Sequence, residues 1–553
     1  MLRKIYLLLL TILFFNCSKN KIYKPIKVDF ILNYKIKLNE SEKKKWFIKD
    51  ILLDSIPGIS LERAYDSLLV SKKPKEVVVA VIDTEIDVNH EDLSGEFWVN
   101  ENEILHNGID DDNNGYIDDI NGWNFIGNLN GENIIYSNLE CVRLLQKYQS
   151  QFSGKENISY KDKANYKLYT SAKKYYADKL KVAKSDQEYG NFLFSGYPKA
   201  KKAMKKIFPK EDYTTKMLDS LYSKYKKSNT ELANQAYFIS DCIKYNLSEK
   251  WIYDYKKEVD NKIEKTYNLN YYDRKNIDNK PDDISFINYG NPYISKNMDE
   301  FYHGTLIAGL IGANRGNAIG INGITNNVKI MPLAISSNGE EHDKDIALAI
   351  RYAVDNGAEI INMSFGKNFS LYKEWVFEAI KYAEKSNVLI VSSAGNSSYN
   401  LNEYNNYYPN DNIENQEEVA NNFLLVGSIS NKLDNSFLSY YSNYGNIDVD
   451  IFAPGETIYT TLPNNKYKYD SGTSLASAIT SGVAALLYAY YPNLTASQVK
   501  HILMDSGLEY DIEVSTPTKD DKNKMTPFNQ LSKSGKVLNA YNAFIMADSI
   551  SRN

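Results

Sequence analysis

The sequence predicts an α/β protein in which a mostly parallel sheet is covered by helices on both faces. Three observations lead to this fold class. The run Val77–Ile82 is apolar and rich in β-branched residues, which is typical of a parallel strand buried on both faces. From Phe301 onward, strand and helix patterns alternate, as crossovers over a parallel sheet require. Between these parts, residues 128–298 show helical spacing and few Gly or Pro residues, which predicts a large helical insertion.

Each element of the α/β part has its own local signal. Apolar residues at helical spacing predict a helix over residues 59–69, before the first strand. After the insertion, the predicted elements are a helix over 303–312, a strand over 328–335, a helix over 343–356, a strand over 360–365, a helix over 371–386, and strands over 388–392 and 423–426. A run of small residues after Ser474 predicts one more helix. This serine therefore lies at a helix N-terminus, where free backbone N–H groups face any group that it attacks.

The insertion differs from the rest of the chain in charge. Residues 131–298 contain 31 Lys and Arg against 21 Asp and Glu, a net charge of +10. The whole chain carries −5, so the remainder carries −15. This balance offers no argument for a nucleic-acid partner. The insertion is either a structural embellishment, which we favour, or a basic surface that holds an acidic partner or envelope polymer.

The first residues resemble a bacterial lipoprotein signal peptide. A short basic start precedes an apolar run over residues 5–15, which is too short to span a bilayer. The resemblance implies that Cys17 is lipidated and anchors an exported protein to a membrane of the cell envelope. Asn16 departs from the usual small residue, so plain secretion stays open as the alternative. We assign residues 1–17 to the signal peptide and 18–57 to a tether and N-terminal segment, in which the polar, Lys-rich tether runs from Lys19 to about Asn39.

Cys141 and Cys242 are the other two cysteines. In an oxidising compartment they could form a disulfide, which spacing alone does not decide. We favour two buried thiols.

An acidic loop follows the first predicted strand. Acidic and amide oxygens alternate and are followed by a glycine, as in the first half of a calcium-binding loop. The alternative is a turn with solvated acids, because the twelfth position of the loop holds Asn121 instead of Glu. The predicted calcium ligands are Asp110, Asp112, Asn114 and Asp118.

Three residues have the types that nucleophilic catalysis requires. A nucleophile must lose its proton, an imidazole must accept it, and a carboxylate must hold that imidazole. Asp83, His303 and Ser474 supply these types, and each lies at the end of a predicted element. The chain has only five histidines, and among them His303 alone precedes a Gly-Thr pair and a helix. These three residues are therefore the predicted catalytic triad.

The blocks around these residues resemble the subtilase family of serine peptidases (peptidase family S8). The first block is Val79-Ala-Val-Ile-Asp83, the second is His303-Gly-Thr-Leu-Ile-Ala-Gly309, and the third is Ser471-Gly-Thr-Ser474. A fourth signature is Ser393-Ala-Gly-Asn396. The resemblance covers residues 58–127 and 299–545, which we assign to the catalytic domain, and it leaves out the insertion over 128–298.

The resemblance implies roles for further residues. The side-chain amide of Asn396 would form an oxyanion hole with the backbone N–H of Ser474. Asp92 matches a family calcium position, which is a second calcium prediction. Main-chain bonds to an extended peptide, together with neighbouring contacts, would come from the predicted substrate-binding residues Ser364, Phe365, Gly366, Ala394 and Gly395.

Together these features predict an exported serine endopeptidase that acts through an acyl-enzyme. We expect protein or peptide substrates, no cofactor for the chemistry, a structural calcium ion, a monomer and no nucleic-acid partner. The alternative function is a catalytically silent surface binding protein that keeps the subtilase scaffold and binds through the basic insertion. Residues 18–57 look too short and polar for a chaperone-like pro-segment, so we expect folding without one.

The sequence departs from the family pattern without losing a catalytic residue type. Leu475 replaces the usual Met, and Ala478 replaces the usual Pro. Glu85 stands where a glycine is usual, two residues after Asp83. Its carboxylate either tunes the pH range of the triad or points to solvent.

Overall fold

The computed structural model describes residues 24–28, 34–70, 72–155, 157–404, 406–413 and 417–552. The predicted signal peptide and Cys17 lie outside these residues. The strands are β1 Val77–Asp83, β2 Trp123–Asn124, β3 Val328–Ala334, β4 Ile360–Met363, β5 Leu389–Ser393, β6 Asn412–Ile413, β7 Glu417–Glu418, β8 Phe423–Ile429, β9 Ile451–Pro454, β10 Ile458–Leu462, β11 Lys466–Asp470, β12 Leu508–Glu509, β13 Glu513–Ser515, β14 Met525–Pro527 and β15 Lys536–Val537. The α-helices are α1 Glu40–Lys45, α2 Leu61–Ala64, α3 Glu140–Phe152, α4 Lys163–Ile207, α5 Thr215–Tyr225, α6 Thr230–Lys244, α7 Glu249–Asn261, α8 His303–Gly312, α9 Asp343–Asp355, α10 Lys373–Lys385, α11 Thr473–Tyr490, α12 Ala496–Asp505 and α13 Ala540–Ser551.

The central sheet has the strand order β12-β15-β9-β8-β5-β4-β1-β3-β2. Every neighbouring pair is parallel except β12 with β15. The chain moves from β1 outward to β3 on one side and to β4 on the other. Such a reversal opens a crevice at the carboxyl ends of the strands, and Asp83 is the last residue of β1. The predicted α/β fold class is confirmed.

Helix α11 is the main core helix. It is buried from Thr473 to Ala489 and packs against β1, β4, β5, β8 and β9. Small residues allow this close approach, as the sequence predicts. Among the described residues it is also the one helix that is long and apolar enough to cross a membrane. Since 94% of it is buried inside the protein, it is a core helix here.

The insertion forms an arm of five helices, α3 to α7, which we call the helical arm (residues 140–266). Its helices begin later and end earlier than the predicted insertion, because residues 128–139 and 267–302 form extended and turn structure. Four small clusters make up its interior, one of them around Leu218. The two thiols of the arm are free and buried. Burial raises the pKa of Cys141 to about 12 and that of Cys242 to about 11, which makes both thiols unreactive.

The segment before β1 does not form a tether as far as residue 57. Trp46 is 1% exposed and donates its indole N–H to the carbonyl of Thr457 at 3.2 Å. Further upstream, the backbone of Ile26 exchanges two hydrogen bonds with the side chain of Asn542, at 2.7 and 3.0 Å. The tether prediction is therefore wrong at Ile26, and the N-terminal segment around Trp46 is part of the packed protein, because a few apolar residues among the lysines pack onto the catalytic domain.

Candidate active site

The structure brings the three predicted catalytic residues to the same edge of the sheet. Asp83 ends β1, His303 is the first residue of α8, and Ser474 is the second residue of α11. Helix α8 approaches β1 closely because Gly304 has no side chain: a Cβ there would lie 2.7 Å from the carbonyl oxygen of Thr84. Thr84 also accepts the Gly304 N–H at 2.9 Å, which fixes the position of the histidine.

Asp83 and His303 form a hydrogen-bonded pair. The Nδ1 atom of His303 lies 2.8 and 2.9 Å from the two carboxylate oxygens of Asp83. A carboxylate only accepts hydrogen bonds when it is ionised, so Nδ1 carries the proton and Nε2 is free to act as a base. The Asp83 side chain is 2% exposed, whereas that of His303 is 33% exposed. The imidazole can therefore meet a substrate while its carboxylate partner cannot.

The charges around His303 favour its protonated form. Burial by itself lowers the pKa of His303, but the negative charge and hydrogen bond of Asp83 outweigh it. Asp470 and Glu341 add smaller contributions of the same sign. The pKa of His303 is therefore raised above 6.5. A base of this strength accepts a proton from a hydroxyl more readily than a free imidazole does.

Ser474 is oriented by the segment after β4. Its Oγ donates to the carbonyl of Ser364 at 3.1 Å, and the Ser364 hydroxyl donates to the carbonyl of Ser474 at 3.0 Å. In this arrangement the Ser474 hydroxyl points at Ser364 and not at His303. For catalysis the hydroxyl must direct its hydrogen to Nε2 instead, and catalytic hydrogen bonds are often looser before substrate binds.

Asn396 lies beside the serine. Its Oδ1 accepts from the backbone N–H of Thr473 at 2.9 Å and from the Thr473 hydroxyl at 3.0 Å. These two donors fix the amide orientation, so the Nδ2 group points outward. A Cβ built on Gly472 would lie 3.6 Å from this Nδ2 and 3.7 Å from Ser474 Oγ. The two atoms therefore border the same small space.

The predicted substrate-binding residues form two walls near Ser474. One side of the segment that follows β4 is already paired, because Lys367 exchanges backbone hydrogen bonds with Tyr408 at 2.8 and 2.9 Å. Alternate residues of this segment therefore direct their N–H and C=O groups to the side away from Tyr408, where a peptide can bind. The first wall contains Ser364, Phe365 and Gly366. The second wall contains Ala394 and Gly395. Sequence reasoning missed Tyr407, whose ring lies between the walls: a Cβ at Gly366 or Gly395 would come within 2.0 or 2.6 Å of it.

Glu85 faces neither solvent nor the imidazole. It is fully buried, and its carboxylate accepts two backbone N–H groups, of Lys296 at 2.5 Å and of Asn297 at 2.6 Å. The amide groups of Asn297 and Asn133 donate to its other oxygen at 2.6 and 2.8 Å. The solvent-facing alternative is therefore wrong. Asn133 lies near the start of the predicted insertion, and Lys296 and Asn297 lie near its end. Glu85 therefore binds both ends of the insertion, which lie beside the end of β1.

The acidic loop groups a different set of carboxylates from the predicted one. One oxygen each from Glu103, Asp112 and Asp119 lies within 4.8 Å of the others. Two predicted ligands instead accept backbone N–H groups within the loop: Asp110 from Asn114 and Gly115, and Asp118 from Asn107 and Gly108. The side chain of Asn114 itself donates to Asp112 and Asp119 at 3.1 and 3.0 Å.

Oxygen donors of this kind fit calcium, which prefers carboxylates in flexible loops. Burial raises the pKa of both Glu103 and Asp119. Asp92, the other predicted calcium ligand, lies in a separate place. It is buried and accepts from the Asn317 amide at 2.8 Å and the Ile321 N–H at 2.9 Å.

Comparison with known proteins gives a consistent set of relatives. A profile described as Peptidase S8, Subtilase family, matches residues 74–531. The thermophilic serine proteinase of Bacillus sp. (strain AK1) is 34% identical over 247 residues, which cover 44% of this chain and 53% of that protein. Subtilisin DY of Bacillus licheniformis is 33% identical over 215 residues, 38% of this chain and 73% of that protein.

Other matches are more partial. The cell wall-associated protease of Bacillus subtilis (strain 168) is 30% identical over 228 residues, which cover 40% of this chain and 23% of that protein. The chain thus spans between a quarter and about half of the length of the first two curated relatives. Among solved structures, a cold adapted subtilisin-like serine proteinase has 26% identity and a TM-score of 0.33, with 43% of this chain and 74% of that chain covered.

A parallel α/β sheet with an Asp–His pair and a serine at a helix N-terminus defines the class of α/β serine hydrolases. The profile match identifies the family within that class. This chain belongs to the subtilase family of serine peptidases.

Proposed function

We propose that this chain is a serine endopeptidase that hydrolyses peptide bonds through an acyl-enzyme. The observation that carries the proposal is the hydrogen-bonded pair of Asp83 and His303 at the edge of the sheet where Ser474 and Asn396 also lie. His303 Nε2 takes the Ser474 proton while Oγ attacks the substrate carbonyl carbon. The Ser474 N–H and the Asn396 amide then stabilise the oxyanion.

The second half of the reaction reverses these roles. When the C–N bond breaks, His303 gives its proton to the leaving amine, and the acyl group stays on Ser474 as an ester. Water then enters, His303 removes its proton, and hydrolysis of the ester restores the serine hydroxyl. Asp83 stays ionised throughout and keeps the imidazole in the required tautomer.

A peptide-library digest tests this function. We expect Ser474→Ala to lower kcat/KM by at least about ten-thousand-fold, because the nucleophile is lost while the fold is kept. Ser223→Ala, at an exposed serine of α5 in the helical arm, is the matched control. A fluorophosphonate probe should label the wild type and not Ser474→Ala. Failure of the folded wild type both to react with the probe and to cleave peptides would favour the silent binding protein.

The room beside the nucleophile bears on the choice of substrate. The ring of Tyr407 fills the space between Gly366 and Gly395, so a peptide held between the two walls has little room for a large side chain there. We therefore propose a preference for small residues next to the scissile bond. The same library digest measures this preference, and efficient cleavage after aromatic residues would contradict it.

Calcium binding at the acidic loop is a further part of the proposal. The clustered oxygens of Glu103, Asp112 and Asp119 support it. At a calcium concentration one hundred times Kd, stability should rise by about 2.7 kcal/mol. Asp119→Asn should abolish this calcium-dependent rise in Tm, whereas Asp110→Asn should keep it. The opposite pattern would favour the ligand set predicted from sequence.

Export is the third part of the proposal. It rests on the resemblance of residues 1–17 to a lipoprotein signal peptide and on the name of the Bacillus subtilis relative, a cell wall-associated protease. We propose a protein anchored to the cell envelope through Cys17, acting as a monomer on protein substrates. Metabolic labelling with a fatty acid, in the wild type and in Cys17→Ser, tests the anchor. Label on neither protein would leave plain secretion as the alternative.

A further inference from the structure

Nine lysines lie along one face of α4, the longest helix of the helical arm. At 100° per residue they fall within a sector of about 120° and extend over about 65 Å. We call this set the lysine stripe: Lys163, Lys167, Lys173, Lys174, Lys181, Lys184, Lys199, Lys202 and Lys206. Lysine at this density on one side of a helix calls for a physical explanation.

The lysine stripe faces away from the rest of the protein. The buried residues of α4 occupy the opposite side of the helix and include Tyr169, Ala183, Leu193 and Met204. Helices α3, α6 and α7 pack against α4, and these buried residues form the contact. The stripe is therefore open to a large flat or extended partner along its whole length.

The stripe is not balanced by acidic neighbours. Two lysines of α4 form ion pairs, Lys201 with Glu249 and Lys205 with Glu211, and both lie off the stripe. Within the described chain, no stripe lysine has a carboxylate within 4.0 Å. An ordinary solvent-exposed helix face mixes both signs of charge and gains from pairs at i,i+4.

Parts of the stripe place lysines where they repel one another. Lys163 with Lys167, and Lys202 with Lys206, are like-charge pairs at i,i+4, which destabilise a helix. Glu188 is the one acidic residue of α4 in the same sector. Asp178, four residues after Lys174, and Glu188, four residues after Lys184, offset part of this repulsion. The stripe still keeps a large excess of positive charge, which suits a negatively charged partner.

Two exposed aromatic residues lie at the middle of the stripe. Phe192 falls within the lysine sector and is 58% exposed. Tyr189 beside it is 48% exposed, and the two rings stack with their centroids 6.5 Å apart. The edge of each ring also packs on the arm, Phe192 against Phe238 and Tyr189 against Tyr255, so about half of each side chain faces outward. Aromatic side chains gain from contact with the interfacial region of a bilayer, where one side is apolar and the other wet.

We propose that the lysine stripe docks the protein on an anionic lipid bilayer. Lysine ammonium groups are point charges that suit phosphate headgroups, and the stripe has no arginine for bidentate recognition. The aromatic pair favours a bilayer over a soluble polyanion. The charge balance adds an orientation: residues 131–298 carry +10 and the remainder −15, so the arm is attracted to the surface while the catalytic domain is repelled. This inference does not depend on the peptidase activity.

Vesicle co-flotation of the full chain tests the proposal. The vesicles are phosphatidylcholine alone or with about one-third phosphatidylglycerol, at low and high salt. Near an anionic surface each lysine contributes about a fivefold factor to partitioning. Replacing Lys174, Lys181, Lys199, Lys202 and Lys206 together with Gln should therefore lower binding to the anionic vesicles by at least about a hundredfold. An acyl anchor on Cys17 acts in both kinds of vesicle, so the measured quantity is the ratio of anionic to neutral binding.

A matched variant tests whether binding depends on the position of the lysines in the stripe or only on the total charge of the arm. It replaces Lys179, Lys216, Lys224, Lys227 and Lys244 with Gln, five lysines of the same arm that lie off the stripe. We expect it to keep most of the anionic preference, which high salt should remove. The proposal is overturned if the wild type shows no anionic preference, or if both variants lose it equally. Tighter binding to soluble polyphosphate, with none to vesicles, also overturns it. Peptide cleavage, measured in parallel, should be the same in all three proteins.

Discussion

The α/β core and the helical arm reach stability in different ways. In the core, α11 is buried from Thr473 to Ala489 and touches five strands. In the arm, α4 is 45 residues long but buries only seven of them, against several small clusters. Burial on all sides couples the core helix to the whole domain, whereas one-sided packing lets parts of the arm open separately. The active site belongs to the first kind of region and the lysine stripe to the second.

The largest expected effect is on the reaction itself, within the core. Asn396→Ala removes the side-chain donor beside Ser474. Loss of the equivalent donor in subtilisin lowers kcat by roughly 100- to 1000-fold, which is about 3–4 kcal/mol. We expect a similar loss in kcat with KM nearly unchanged, since the donor acts mainly on the transition state. Steady-state kinetics on a peptide substrate measure both constants.

The control for this variant comes from the arm. Asn191→Ala removes an exposed amide of α4 and should leave both constants within a factor of two. An unchanged kcat in Asn396→Ala would mean that the amide does not face the oxyanion.

The next effect tests whether the α/β core and the helical arm unfold as one cooperative unit. Leu487 of α11 and Leu218 of the arm are both 0% exposed. Truncation of either to alanine should cost about 2–5 kcal/mol. In Leu487→Ala we expect the whole domain to lose this stability. In Leu218→Ala we expect faster hydrogen exchange within α5 and α6 only, with kcat/KM unchanged.

Native-state hydrogen exchange by mass spectrometry gives the answer region by region. If Leu218→Ala accelerates exchange in the central sheet to the same degree as in α5, the arm and the core unfold as one unit. The proposed difference between the two regions would then be wrong.

A smaller effect is expected where the two regions meet. Glu85→Ala removes the carboxylate that accepts from Lys296, Asn297 and Asn133, and it leaves these part-buried donors without that acceptor. We expect a loss of about 2–3 kcal/mol and faster proteolysis within residues 291–300. The pH–rate curve should keep its shape, because the carboxylate is directed at the insertion. Glu101→Ala, at an exposed position, is the control. A shift of the acidic limb of the pH–rate curve in Glu85→Ala would instead support the hypothesis that Glu85 tunes the pH range of the triad.

The smallest effect concerns the pH range. Only the neutral imidazole of His303 can accept the serine proton, so activity falls as the pH drops through its pKa, which is raised above 6.5. Asp83 is the main group that raises this pKa against the effect of burial, and Asp470 adds to it. Asp470→Asn should therefore shift the acidic limb of kcat/KM to lower pH by a few tenths of a unit. The control is Asp186→Asn, which makes the same charge change in the helical arm and should leave the acidic limb in place. A shift of equal size in this control would show that the effect is a long-range effect of net charge.

Much of the catalytic region could be predicted because its signals are local. The strand that ends at Asp83, the small-residue helices after His303 and Ser474, and the alternation of strand and helix are all visible in short stretches. Each depends on side chains within a few turns or on a strand of seven residues. The same holds for the helical character of the arm.

The errors concern contacts between distant parts of the chain. Nothing near Glu85 indicates that Lys296 will supply its hydrogen bonds, 211 positions away. The acidic loop shows alternating oxygens, but the turn geometry decides that Asp112 meets Glu103 and Asp119. The sequence around Trp46 indicates a polar segment, and only the folded catalytic domain supplies the surface against which Trp46 is buried.

The sequence by itself determined the fold class, the order of the elements and the chemical types of the catalytic residues, because these follow from periodicity and from residue type at element ends. The sequence also predicted the triad, but only the tertiary structure shows the 2.8 Å contact of Asp83 with His303 across 220 positions. It alone decided that Tyr407 fills the space beside Ser474 and that the lysines of α4 face outward together. Those facts depend on how separate elements pack, and a pattern within one element contains no information about its neighbours in space.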